Sequence, residues 1–222
     1  MGLWLLSSLI DTIFLTPTVR PVIVPVKPKV VQKAEPVVEI KPWEKVPNAK
    51  TVMENCYTGI VNLNNLLPPG WTVSDIVCTN GSAATSWTRN VGRISWAKKA
   101  LDDSGLSFSG YSFASDGNSL SATLSLPKAE EQLNPPQKTL VDLQNELNDT
   151  FQSIGVKISF SPGSAKSSTG MIYRTLQFSL DSDYDPQTWV ELLTKYSGLE
   201  VKLITYSPQN KTWHYEGTIY VL

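Results

Sequence analysis

The chain has 222 residues, 41% of them hydrophobic and 18% charged, with a net charge of -1 and a pI near 5.9. A charged fraction below the usual ~25% leaves the surface to Ser, Thr, Asn and Gln, and a balanced charge provides no field to attract nucleic acid or anionic lipid. Two cysteines and one histidine cannot complete a structural zinc site, which takes four protein ligands.

The first stretch, GLWLLSSLIDTIFL, is apolar but shorter than the roughly 20 residues of a membrane-spanning helix, and Asp11 interrupts it. No basic residue precedes Arg20 and no A-x-A site follows, so it does not read as a secretory signal. Trp4 and the Leu/Ile/Phe run have no evident core partner downstream. Residues 1–15 are therefore expected to be a membrane-associated or partner-docking segment. Residues 16–50 carry Pro17, Pro21, Pro25, Pro28, Pro36, Pro42 and Pro47, a spacing that prevents helix and disfavours a central strand. The stretch reads as a semi-rigid linker, reaching on the order of 100 Å at ~3.1 Å per residue. PVIVPV or PVVEI could also lie as an edge strand on a partner.

Regular patterning begins at Thr51. TVMENCYTGIVNLNNLL places Met53, Cys56, Tyr57, Ile60 and Leu67 at helical spacing, and PPG stops that helix. WTVSDIVC predicts a strand, Asn80-Gly81 a hairpin turn and SAATSWTR the return strand. GRISWAKKALDDSG predicts a second helix, with Ile94, Ala97 and Leu101 inward and Gly105 past its end. LSFSGYSF and NSLSATLSLP predict a second hairpin around Asp116-Gly117, with Leu120, Ala122, Leu124 and Leu126 on one buried face. After Pro135-Pro136 the order repeats. KTLVDLQNELNDTFQSIG is a helix striped by Leu140, Leu143, Leu147, Phe151 and Ile154, and VKISFSP and GMIYRTLQFSL are strands. PQTWVELLTKYSG is a helix with Pro186 in its first turn, Trp189, Leu192, Leu193 and Tyr196 inward, and Gly198 as its cap. LEVKLITYSP and TWHYEGTIYVL close the chain as a hairpin.

The chain thus reads as an internal duplication of an αββαββ unit. An αββ unit buries one helix stripe against one sheet face, and two of them sharing a sheet make a ferredoxin-like plait in permuted order. The expectation is an α+β protein of two tandem ferredoxin-like plaits, at 51–127 and 138–222, joined by a linker at 128–137. In that layout Cys56 lies on the helix stripe above the strand that ends in Cys78. The two are either a disulfide or separate buried thiols; the layout allows the disulfide, and the upstream tether and apolar segment, which point out of the cytosol, favour it, since a disulfide belongs to an oxidising compartment.

The residue inventory offers little chemistry. Every nucleophile-and-base arrangement would converge on His214, in WHYEG, which reads as a strand residue. Asp181, Asp183 and Asp185 in LDSDYDP suggest calcium on first sight. A calcium-binding helix-loop-helix loop needs Gly at position 6 and Glu at position 12, where this chain has Pro186 and Leu192. No catalytic, cofactor or metal residues are assigned. The aromatics Trp213, Tyr215 and Tyr220 are candidate interface contacts, with ordinary sheet-face packing as the alternative.

The run of Cys56, a helix, Pro69-Gly70-Trp71, Cys78 and Trp87-Thr88-Arg89, together with Trp213, Gly217, Tyr220 and Val221 near the end, resembles the type IVb pilus accessory protein PilO family. The resemblance covers 51–222. It implies an inner-membrane protein with one spanning helix and a periplasmic pair of ferredoxin-like domains. It also implies a structural role in pilus biogenesis, as an alignment or assembly-platform component that pairs with a partner of the same build. That pattern places a cytoplasmic region and a complete spanning helix ahead of the linker, which residues 1–15 do not show, so the expectation is either a trimmed relative or a subunit of a different envelope machine, such as a related secretion system. A periplasmic binding module for pilin or peptidoglycan is the other reading. The expected partners are envelope proteins, in a homo- or hetero-oligomer, with neither nucleic acid nor a small-molecule substrate.

Overall fold

The computed structural model describes residues 45–222, with 134, 137, 169 and 197 excepted. The expectations for residues 1–15, and for the linker as far as residue 44, lie outside the described residues.

The first half contains helix α1 (Ala49–Asn65), strands β2 (Trp71–Thr79) and β3 (Ser82–Arg89), helix α2 (Ile94–Asp103) and strands β4 (Phe108–Phe113) and β5 (Ser119–Ser125). The second contains α3 (Leu140–Ser153), β7 (Lys157–Ser168), β8 (Met171–Ser182), α4 (Pro186–Thr194), β9 (Leu199–Ser207) and β10 (Thr212–Val221). Two short strands, β1 (Lys45–Pro47) and β6 (Glu131–Leu133), fall inside stretches expected to be linkers. They pair antiparallel, with Lys45 opposite Leu133 and Pro47 opposite Glu131.

The other strands form one eight-stranded sheet in the order β4-β5-β3-β2-β9-β10-β8-β7, with every neighbouring pair antiparallel. Within each half the strands lie in the same order: third, fourth, second, first. The halves are not separate sheets. β2 joins β9, with Ile76 opposite Tyr206, Val77 opposite Thr205 and Cys78 opposite Ile204.

Period-2 patterning decides which sheet face is buried. Trp71, Val73, Ile76 and Cys78 of β2, Ala83 and Trp87 of β3, and Leu120, Ala122 and Leu124 of β5 belong to one core. So do Leu176, Phe178 and Leu180 of β8 and Tyr215, Ile219 and Val221 of β10. The helices contribute their stripes to the same core: Val52, Met53, Cys56, Ile60 and Leu63 from α1, Leu143, Leu147 and Phe151 from α3, and Ala97 and Leu101 from α2. One correction falls on α2, where Ile94 is 37% exposed and not inward. At the first residue of the helix its side chain reaches outward to the turn at Gly117.

Two glycines are required by local geometry. Gly81 has φ +102° in the β2–β3 turn, a left-handed conformation that other residues adopt at a cost. Gly217 marks a register shift between β10 and β9, and a Cβ there would lie 2.4 Å from the Glu200 carbonyl oxygen and 2.5 Å from the Phe178 ring.

Candidate functional site

Cys56 sits on the buried stripe of α1 and Cys78 on the core side of β2. Their Cα atoms are 5.6 Å apart and the sulfurs are bonded, at 2.09 Å. The helix lies over its own strand because both present apolar faces to one core, and this brings the two cysteines within disulfide reach. The bond ties the first helix to the strand that makes the joint with the second half.

The aromatics suggested as contacts prove to be interior, in line with the alternative of sheet-face packing. Trp213 is 6% exposed, Tyr215 0% and Tyr220 6%. The Trp213 ring packs at a tilt against Tyr206 and Tyr57, with centroids 4.5 Å and 5.9 Å away, so it cements α1 of the first half to β9 and β10 of the second. Burial pushes the Tyr215 hydroxyl well above the ordinary tyrosine range, and the charge of Asp185 adds to it. Tyr220 points to the opposite sheet face. There it packs with Tyr173 and Val46 in a small second cluster, beneath strand β1 and with the Lys166 ammonium 5.5 Å from its ring centroid.

That opposite face is otherwise largely polar, with Val77, Ala84 and Leu203 among its apolar members. In the first half it carries hydroxyls: Ser86 and Ser121 lie 3.2 Å apart across β3 and β5, and Thr72 donates to the Thr88 carbonyl. In the second half it holds a shallow depression of about 310 Å³, lined by Ser159, Ser161, Gln177, Ser179, Lys202, Glu216 and Thr218 among others. A second, of about 480 Å³, adjoins it through Gln177, Lys202 and Thr218 and reaches Lys45, Lys166 and Glu200.

His214 stands on this face between two carboxylates, with Nδ1 2.7 Å from Asp181 and Nε2 3.0 Å from Glu216. Partial burial works against the charged ring, but the hydrogen bonds to Asp181 and Glu216 outweigh it and raise the pKa above the ordinary histidine value. Both ring nitrogens are occupied by carboxylates. The arrangement therefore suits a charged strut across the two strands β8 and β10 better than a general base, which needs a nitrogen directed at a reacting group. Two residues apart on β10, His214 and Glu216 share a strand face. Asp181 joins them only through the β8–β10 register, in which it lies directly opposite His214. Asp183 accepts from the Thr212 hydroxyl at 3.4 Å, so the acidic run LDSDYDP is distributed among separate partners. Among the described residues no group of three or more His, Cys, Asp or Glu side chains is placed to hold a metal ion.

The sheet has two outer strands. Among the described residues β4 is bordered by β5 alone and β7 by β8 alone. β4, FSGYSF, has neither charge nor proline, while β7 carries Pro162 and a register irregularity between Pro162 and Ala165. Among the described residues no helix is long and apolar enough to cross a membrane. No family model matches the chain, and no curated protein or solved structure matches it.

Proposed function

We propose that this chain is a structural subunit of an envelope-spanning assembly, acting in type IVb pilus biogenesis as an alignment or assembly-platform component, or in a related secretion system. In this reading each half is a ferredoxin-like plait in permuted order. The region from 45 to 222 stands in the periplasm, tethered to the inner membrane, and works by pairing with other envelope proteins and not by catalysis. The observation that carries it is the internal joint. Two halves of like strand order meet edge to edge through β2 and β9 and leave β4 and β7 as outer strands. Strand edges of this kind are the usual route to β-sheet pairing between chains. The Cys56–Cys78 bond supports the compartment, since disulfides persist in oxidising environments.

A second reading, a periplasmic binding module for pilin or peptidoglycan, has one specific support: the hydroxyl- and lysine-lined depressions of the open face. Fractionation of the native host separates the readings from a cytosolic protein. The expected result is recovery with the inner membrane and thiols that resist labelling in denaturant until reductant is added. Free labelling without reductant, in the soluble cytosolic fraction, would overturn both. Loss of pilus or secretion output on deleting the gene, with peptidoglycan and pilin binding absent in vitro, selects the structural subunit.

A further inference from the structure

We infer that the two outer strands bind each other between copies of this chain, β7 of one copy against β4 of the next, in a register that repeats the internal joint of β2 with β9. This deepens the pairing element of the reading above by naming the strands and the partner, a second copy of this chain.

Over three levels of the sheet, 76–78 of β2 and 158–160 of β7, the pairing registers of the two halves correspond row by row. In the first, one row of opposed residues runs Ile76, Thr85, Ala122, Tyr111. In the second, a row runs Ile158, Leu180, Tyr215, Ile204. An extra residue fixes the equivalence, because it interrupts the third strand of each half at the same level. In β4 it is Ser109, between Phe108 and Gly110, and in β9 it is Lys202, between Val201 and Leu203. With these aligned, Ile76 corresponds to Ile158, Cys78 to Phe160, Ile204 to Tyr111 and Tyr206 to Phe113. The outer strands β7 and β4 are thus the counterparts of the strands that already pair inside the molecule. Carrying the joint outward places Ile158 opposite Phe113, Ser159 opposite Ser112, and Phe160 opposite Tyr111 of the next copy.

The residues at these positions suit the role. The segment KISFS of β7 precedes Pro162 and the irregularity that follows it, so the features that guard a strand edge lie outside the paired stretch. β4 carries neither charge nor proline, and its own irregularity at Ser109 likewise lies outside the paired stretch of residues 111–113. Ile158, Phe160 and Phe113 are only half-buried and Tyr111 is 38% exposed, so each has apolar surface left to cover. The helices add an independent sign. At the internal joint α1 lies against α4. Their counterparts at the outer edges are α3 and α2, and these carry exposed apolar side chains, Val141 at 64% and Trp96 at 47%. Because β7 meets β4 and not itself, the contact is heterologous, and each added copy presents a fresh edge of each kind.

Directly opposed residues of antiparallel strands have Cβ atoms ~4.5–5.5 Å apart, close to disulfide reach. The test uses full-length Ser159→Cys and Ser112→Cys variants under mild oxidation, read on non-reducing gels. Both sites are exposed, while Cys56 and Cys78 are bonded to each other and 1% and 0% exposed, so the native pair does not compete. The expected result is a covalent dimer from the mixed variants, little from either alone, and a ladder from a chain carrying both. A Ser161→Cys chain mixed with Ser112→Cys, two residues out of register, should cross-link several-fold more slowly. Dimers from either variant alone as readily as from the mixture, no cross-link in the mixture, or equal rates for Ser159 and Ser161 would each overturn the proposal. Cellular location plays no part in this reaction, so its failure and a failure of the envelope reading are told apart.

Discussion

Cys56 and Cys78 are separated by 22 residues, a loop whose closure restricts the unfolded chain by about 3 kcal/mol in the chain-entropy account. The Cys56→Ala/Cys78→Ala double variant should therefore lose about that much stability, read as a lower urea midpoint with a steeper transition, because the denatured chain without the cross-link exposes more surface. An unchanged midpoint would mean the staple does no thermodynamic work. The other residue-scale expectation concerns His214. Its folded-state pKa is raised above the unfolded value of roughly 6.5, so protonation is favoured in the folded protein. The stabilisation is complete below the unfolded pKa and disappears as pH rises through the folded one. Relative to His214→Gln, the native chain should be more stable below the unfolded pKa and lose that advantage as pH rises through the raised folded-state pKa, followed by denaturation midpoints at several pH values. An advantage that grew with pH would contradict the assignment. The cysteine pair was legible in the sequence because each residue sits on a clear periodic stripe. The partners of His214 were only half legible, because Asp181 is 33 residues away and only strand register brings it close.

Local sequence patterns account for the elements well. The turns at Asn80-Gly81 and Asp116-Gly117 fall between the strands they were expected to join, and the α3 stripe is buried at Leu143, Leu147 and Phe151. The start of α1 was placed at Thr51, and the helix begins instead at Ala49 because Asn48 caps it. The Asn48 carboxamide oxygen accepts from the Thr51 backbone N–H at 3.0 Å, while its amide nitrogen donates to Gln132. Its own backbone N–H donates to the Glu130 carbonyl. The same residue thus holds the helix end and the β1–β6 ribbon. Neither three-residue strand could be read from sequence: each is too short to show alternation, and Pro47 argues against a strand. Asn48→Ala removes all three side-chain hydrogen bonds, including the one the Thr51 hydroxyl donates, and should cost about 1 kcal/mol, the usual value for losing an N-cap. Hydrogen exchange should quicken first at the Thr51 amide and in residues 131–133. Loss confined to the helix would separate the cap from the ribbon.

At the scale of the whole molecule, the duplication was visible in the repeated order of elements, but the union of the halves was not. Ile76–Cys78 and Ile204–Tyr206 alternate as any half-buried strand does, and nothing local says that they are neighbours. What makes the joint more than a three-residue ladder is the packing above it. α1 rests on α4 and β9, and the Tyr57, Trp213 and Tyr206 rings bridge the two halves. The buried residues of both form one contiguous core. A core shared in this way ties the stability of each half to the other, because opening either exposes apolar surface of both. Cleaving the disulfide, which lies entirely in the first half, should therefore lower amide protection in β8 and β10 of the second half as much as in β3 and β5. Native-state hydrogen exchange before and after reduction measures this directly. If the slowest amides of β8 and β10 kept their protection while those of β3 and β5 lost theirs, the halves would be separate folding units and the β2–β9 joint a docking contact between them. Equal losses would make the joint part of a single cooperative structure, with the rigidity that a pairing surface at either outer edge requires.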